Sequence, residues 1–393
     1  MNYNIKMDNY SIGGCPFFFK LLFFNNRNAV SHHIKLIVMK KVLFAILLSF
    51  AFMPSFLFAQ GCMDDGGSSD GVSVKGYIQP ELNTEFTGSG VENTFQFNRA
   101  RIGFVGNIPY DVSYYVFAEL SPFKTGYPYL LDAFVTYSRL PFAKISIGQF
   151  KSPMSLEQNT SCHSLYTINR SEVVEELAGP QRDLGLMILG GADTFFMNYY
   201  IGIMNGTGIL TGLDTDGNIV KPYDNNAGKD IVGRVVFHPF SFLNIGGSFR
   251  YGTTPSATGG SDPDKTIRYG GELELELGQL IVQGEYIYGE NIGSFSTGGG
   301  CGDPLIWEVG NRKRSGYFAQ VIYKTPWNIW PVYKFENYNN DLDVDLTSIN
   351  IQTFGISYFL NDWSRIQVNY RYRMEEAREV ANDQILIQFQ AKF

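Results

Sequence analysis

Charge is scarce in this sequence. Asp, Glu, Lys and Arg make up 18% of 393 residues, where soluble domains carry roughly a quarter. Acidic residues outnumber basic ones by 38 to 31, and no basic run stands out, which argues against a nucleic-acid partner. Cysteine is sparse too. The four fall at 15, 62, 162 and 301, with no CxxC pair and no His/Cys spacing suited to a metal. No metal and no cofactor are expected. Of the four histidines only His163 and His238 lie beyond residue 60, and no zinc-protease or nucleotide-loop signature accompanies them. Little is left with which to build an enzyme. Long apolar runs are absent except for one, VLFAILLSFAFMPSFLFA at 42–59.

Aromatics are abundant. Phe numbers 32, Tyr 24, and the 42 glycines exceed both. Mean hydropathy is near zero, which does not fit a helical membrane protein. It does fit a transmembrane barrel, in which only every second residue faces lipid. The apolar run follows Met39, Lys40 and Lys41 and ends at Ala59, the pattern of a signal peptide with cleavage before Gln60. Residues 1–38 then read as an upstream extension and Met39 as the true start. Residues 60–71 (QGCMDDGGSSDG) read as a flexible lead-in, and 72–393 as the barrel. Removing 1–59 takes away six basic residues and one acidic residue, so the remainder is more acidic than the whole.

From residue 72 onward the sequence alternates with period two between turn signals. Sixteen such segments are predicted as strands: 72–85, 94–106, 112–121, 130–139, 143–151, 182–190, 195–205, 229–238, 243–252, 265–277, 280–289, 314–325, 328–337, 347–360, 364–374 and 383–393. Their connections alternate. After even-numbered strands they are tight (NIPYD, RLPFA, GGADT, HPFSF, LGQ, TPWN, NDW); after odd-numbered ones they are mostly long. Short periplasmic turns and long outer loops do this in outer-membrane barrels, and an even strand count closes the ring. The segment ending at Phe393 is amphipathic, as expected of a closing strand. An all-β, transmembrane, antiparallel sixteen-stranded barrel is the predicted fold.

A barrel of that size encloses water, so solute preference must come from a constriction and from lumen charge. The longest outer connection is 152–181, with a helix-compatible RSEVVEELAG. It is expected to fold into the lumen and narrow it. Basic residues predicted on the lumen face or in this loop are Arg99, Arg101, Lys151, Arg170, Arg182, Arg234, Arg365 and Arg371, with Arg250, Arg268, Lys334 and Arg373 beside them. Guanidinium groups take phosphate or carboxylate through forked hydrogen bonds. Carboxylates are predicted on the same wall at Glu81, Glu119, Asp132, Glu285 and Glu336; paired, they would fix the wall without selecting ions. Glu272, Glu274 and Glu276 share a strand face and are expected to line the lumen. Cys162 and Cys301 lie in loops on one side of the membrane, and a disulfide between them stays open.

The segments FNRARIGFVGNI (97–108), LLDAFVTYSRLPFAKISIGQFKSPMSLEQNTS (130–161), INRSEVVEELAGPQRDLGLMILGG (168–191), MNGTG (204–208) and KDIVGRVVFHPF (229–240) resemble the phosphate-selective porin O and P family. The resemblance implies a sixteen-stranded outer-membrane pore, commonly a homotrimer, set in Gram-negative outer-membrane lipid and passing small solutes or anions past an inward-folded loop. It puts Lys151, Arg170 and Arg182 around that loop and Arg99 and Arg101 on the second strand. The dense basic clusters of strictly phosphate-selective members are absent. Passive diffusion of hydrophilic solutes, with a phosphate or anion preference, is the expected function. The alternatives are a loop-plugged barrel with a binding or assembly role and, behind it, a barrel enzyme.

Overall fold

On strand residues 364–375 the burial pattern is inside out. Gln367 and Asn369 are 0% and 1% exposed, while Val368 and Tyr370 are 41% and 38% exposed. Apolar residues point outward and polar ones inward along most of the chain. In water so much exposed apolar surface would drive association; against lipid it is the stable arrangement. No described helix is long and apolar enough to cross a membrane.

The computed structural model describes residues 71–393 except 122–127, 141, 192–195, 210–211, 214–218, 221–227, 255–262 and 298–305. The upstream extension, the leader, Cys301 and all of the lead-in but Gly71 lie outside the described residues. The strands are β1 (Val72–Thr87), β2 (Gly90–Ile108), β3 (Val112–Glu119), β4 (Tyr129–Leu140), β5 (Ala143–Lys151), β6 (Arg182–Gly190) and β7 (Met197–Met204), then a small pair β8 (Gly212–Leu213) and β9 (Ile219–Val220). There follow β10 (Asp230–Phe240), β11 (Leu243–Thr254), β12 (Asp264–Leu277), β13 (Leu280–Thr297), β14 (Ile306–Tyr323), β15 (Ile329–Asn339), β16 (Ser348–Phe359), β17 (Ser364–Glu375) and β18 (Gln384–Lys392).

All but β8 and β9 form one closed antiparallel ring of sixteen strands, each paired with its neighbours in sequence and β18 with β1. Every predicted strand is present. Closure satisfies the backbone hydrogen bonds that hydrocarbon cannot. At the seam the Phe393 and Gly76 amides exchange hydrogen bonds of 2.8 and 2.9 Å. A Cβ on Gly76 would come within 2.6 Å of the Phe393 ring and 2.5 Å of the Arg101 carbonyl, so only glycine lets the ring approach. Two outer connections differ from expectation. β1 and β2 run together up to the pair Thr87↔Gly90, leaving a two-residue turn, and β13 and β14 stay paired as far as Thr297↔Ile306. Ladder pairing continues past the predicted ends because nothing in these segments interrupts it.

The connection 152–181 carries two short helices, α1 (Leu156–Asn159) and α2 (Glu172–Leu177). The second falls within RSEVVEELAG. Val173, Val174 and Leu177 on α2 are fully buried against Phe150, Met187, Met204, Val232, Ile287 and Phe318. These wall residues occupy inward positions, where a wet lumen would carry polar groups. They form an apolar seat for the helix.

Candidate anion-binding lumen site

The 152–181 segment is bonded to inward-facing side chains around much of the ring. Ser155 donates to the Glu285 carboxylate at 2.9 Å, and the amides of Leu156 and Glu157 donate to it at 3.1 and 3.3 Å. Glu285 thus fills the anion position at the start of α1. Glu336 does the same for α2, accepting from the Glu172 amide at 2.8 Å. Lys334 ties the two together, 3.1 Å from Glu157 and 3.5 Å from Glu336. On the far wall Asn369 accepts from the Ile168 amide at 2.8 Å, and Gln79 and Gln390 donate to the carbonyls of Cys162 and His163.

All eight predicted cations are buried. Three make close ion pairs. Arg101 is 2.6 Å from Glu119, Arg182 grips Asp132 with two bonds of 2.9 and 3.2 Å, and Arg234 grips Glu272 at 2.6 and 3.1 Å. The last pair reaches across β11 because Gly246 lies beneath it. A Cβ there would meet the Glu272 carboxylate at 2.6 Å. Arg371 is looser, 3.8 Å from Glu172.

The others take neutral acceptors. Arg99 donates to Gln79 at 2.9 Å, and Arg365 to Gln390 at 3.1 Å. Lys151 donates to the carbonyls of Gln158 and Thr160 at 3.0 and 3.1 Å. Arg170, itself in the segment, donates to the carbonyls of Glu157, Gln158 and Thr160. Among the described residues no carboxylate lies within 4.0 Å of the Arg99, Arg170 or Arg365 guanidinium.

Cys162 sits among these cations. Its sulfur accepts from Arg101 at 3.2 Å and from Arg170 at 3.5 Å. Burial opposes ionisation of the thiol, but Arg101, Arg170, Arg99 and Lys151 outweigh it and hold it well below its ordinary range. Nothing in the residue pattern places this cysteine in an arginine cluster. Its closeness to Arg170, eight residues on, was the one available sign.

Two cavities flank the segment. One of about 360 Å³ is lined by Lys75, Arg101, Lys151, Arg182 and Lys392, with Asp132 as the one acidic side chain in its lining. The other, about 180 Å³, is lined by Arg234 with Glu272 and Glu274. Glu276 lies away from it, paired with Lys324 at 2.6 Å. His238 stands at this second cavity between Asn198 and Asn244, bonded at 3.0 and 2.7 Å.

Residues 79–242 match the profile of the family described as phosphate-selective porin O and P. Over these residues the chain resembles that family. The porin is also similar in fold to solved structures. An anion-selective porin from Comamonas acidovorans is 11% identical, covering 82% of this chain and 99% of its own, with a TM-score of 0.61. The Salmonella typhi OmpF complex with daunomycin is 13% identical, covering 82% and 97%, at 0.60. The outer membrane channel DcaP of Acinetobacter baumannii is 13% identical, covering 84% and 99%, at 0.57. A search of curated proteins returned no match. The porin is a channel of the Gram-negative outer membrane, not an enzyme, and passes small solutes.

Proposed function

We propose that the porin favours anions among those solutes and that segment 152–181 sets the preference by narrowing the lumen. The observation that carries this reading is the set of buried guanidiniums that no carboxylate pairs: Arg99 and Arg365 face side-chain amides, and Arg170 faces carbonyls and the Cys162 sulfur that it shares with Arg101. Buried cations that outnumber their counter-charges raise the local potential in a medium that screens it poorly. Lys151 borders the same region. Arg101, Arg182, Arg234 and Arg371 contribute less, since a carboxylate stands against each.

Phosphate belongs to the preferred class because a forked donor matches its oxygens. Export follows cleavage of the leader 39–59 before Gln60, and the functional unit is a homotrimer, as the family implies. Planar-bilayer recordings in a salt gradient test the selectivity. A reversal potential of the sign for chloride preference is expected, and one of the opposite sign ends the reading. The many bonds between 152–181 and the wall favour a second reading, a plugged barrel that binds or assembles; absence of any ion current would establish it. Chemical crosslinking in membranes checks the trimer, and N-terminal sequencing checks the cleavage site.

A further inference from the structure

The inner faces of β15 and β16 mix polar and apolar residues. Trp330 and Phe359 stand on them with Val332 and Ile351, among inward positions that carry Lys334, Thr353 and Ser357. Their rings are 4.3 Å apart, and Tyr166 of the 152–181 segment comes within 6.5 Å of Trp330. Between them is a half-open cavity of about 210 Å³ whose wall also includes Trp363, Arg365 and Lys392, with Asp362 as the one carboxylate in its lining. It shares His163, Trp363 and Lys392 with the 360 Å³ basic cavity.

Arg365 is 4% exposed, and its guanidinium lies over the Phe359 ring at 5.7 Å. Its Nη2 donates to Gln390, whose oxygen is shared with Gln79 at 2.7 Å. The Arg365 Nε is fully buried and has no hydrogen-bond partner among the described residues. A buried donor left unmet is costly, and this one belongs to a cavity wall. Chloride or phosphate would meet the guanidinium and leave the rings uncovered. A neutral arene would cover the rings and leave the charge unmet. The space lies below the ~300 Å³ at which pockets for drug-sized ligands begin, which limits an occupant to about one ring.

We propose that this cavity binds small aromatic monoanions of the arene carboxylate class, the carboxylate on Arg365 and the ring among Tyr166, Trp330, Phe359 and Trp363. The proposal rests on the anion-favouring reading and narrows its solute. The test is a fluorescence titration of the folded full-length barrel in detergent with benzoate, using acetate and benzyl alcohol as controls for charge alone and ring alone.

Saturable quenching by benzoate is expected, with both controls at least about tenfold weaker. Arg365→Gln should weaken benzoate about tenfold, and Trp330→Ala should weaken it as well. If Arg365→Gln fails to assemble, Arg365→Lys serves. It keeps the charge but loses the planar fork, so weaker binding is expected there too. Equal binding of benzoate and acetate, or unchanged benzoate binding in whichever of the Arg365 variants folds, overturns the proposal. Because the titration needs no ion flow, the two ideas fail separately. A chloride-preferring barrel that ignores benzoate refutes the site alone, and a barrel with no anion preference refutes the reading beneath it.

Discussion

The two cavities beside segment 152–181 are built from the same residue types and have opposite balances. Around the larger one, Lys75, Arg101, Lys151, Arg182 and Lys392 share the lining with a single acidic side chain, Asp132, and Arg101 is also held by Glu119. Around the smaller one, Arg234 meets Glu272 and Glu274. Beyond the smaller cavity, Lys334 sits between Glu157 and Glu336, and Glu285 is left over to hold the start of α1. Counting arginines therefore says little about selectivity. What matters is which acceptor each one has: a carboxylate cancels the charge, whereas an amide or carbonyl orients it and leaves it in place.

The comparison can be broken most severely on the carboxylate-rich side. Lys334→Met should leave Glu157 and Glu336 buried without their cation, at a cost of about 3–5 kcal/mol. Loss of the heat-resistant folded band on gels would report it; an unchanged melting transition would contradict the pairing. On the other side Arg170→Ala removes a charge that has no carboxylate to strand. Its expected effect is on selectivity, a several-fold fall in the chloride-to-potassium permeability ratio with the barrel still folded. If the ratio holds, the uncompensated cations do not set the preference.

Asp132→Asn sharpens the contrast by freeing Arg182. Anion preference should rise by about twofold, a bidentate pair being replaced by a neutral contact. The smallest effect concerns Cys162. Because its folded pKa is depressed, the thiolate adds stability that is fully present above the unfolded thiol pKa of about 8.5. That stability is lost as pH falls through the folded value. The stability advantage of the native barrel over Cys162→Ala should therefore be greatest near pH 9 and shrink on acidification. A difference independent of pH would argue that the sulfur is neutral.

Much of the barrel was legible because a strand in lipid has one apolar and one polar side, a pattern local to each segment. Residues 364–374 and 265–277 show it without help from any neighbour. Loop alternation was legible for the same reason. The apolar seat of α2 was not. Phe150, Met187, Met204 and Val232 lie on inward positions, and only the arrival of a distant helix makes them buried. Nor could the partners of the cations be read. Arg234 and Glu272 are 38 residues apart on strands that are not neighbours. The residue types at the candidate site were visible in the sequence, and their electrostatic consequence was not.

Gly246 carries no charge and touches no solute, yet it lies beneath the contact that neutralises Arg234. Any side chain there would push Glu272 aside, and the acidic wall would acquire a liberated cation. Ion preference in such a pore can thus drift during evolution through a single neutral codon, with every charged residue still in its place.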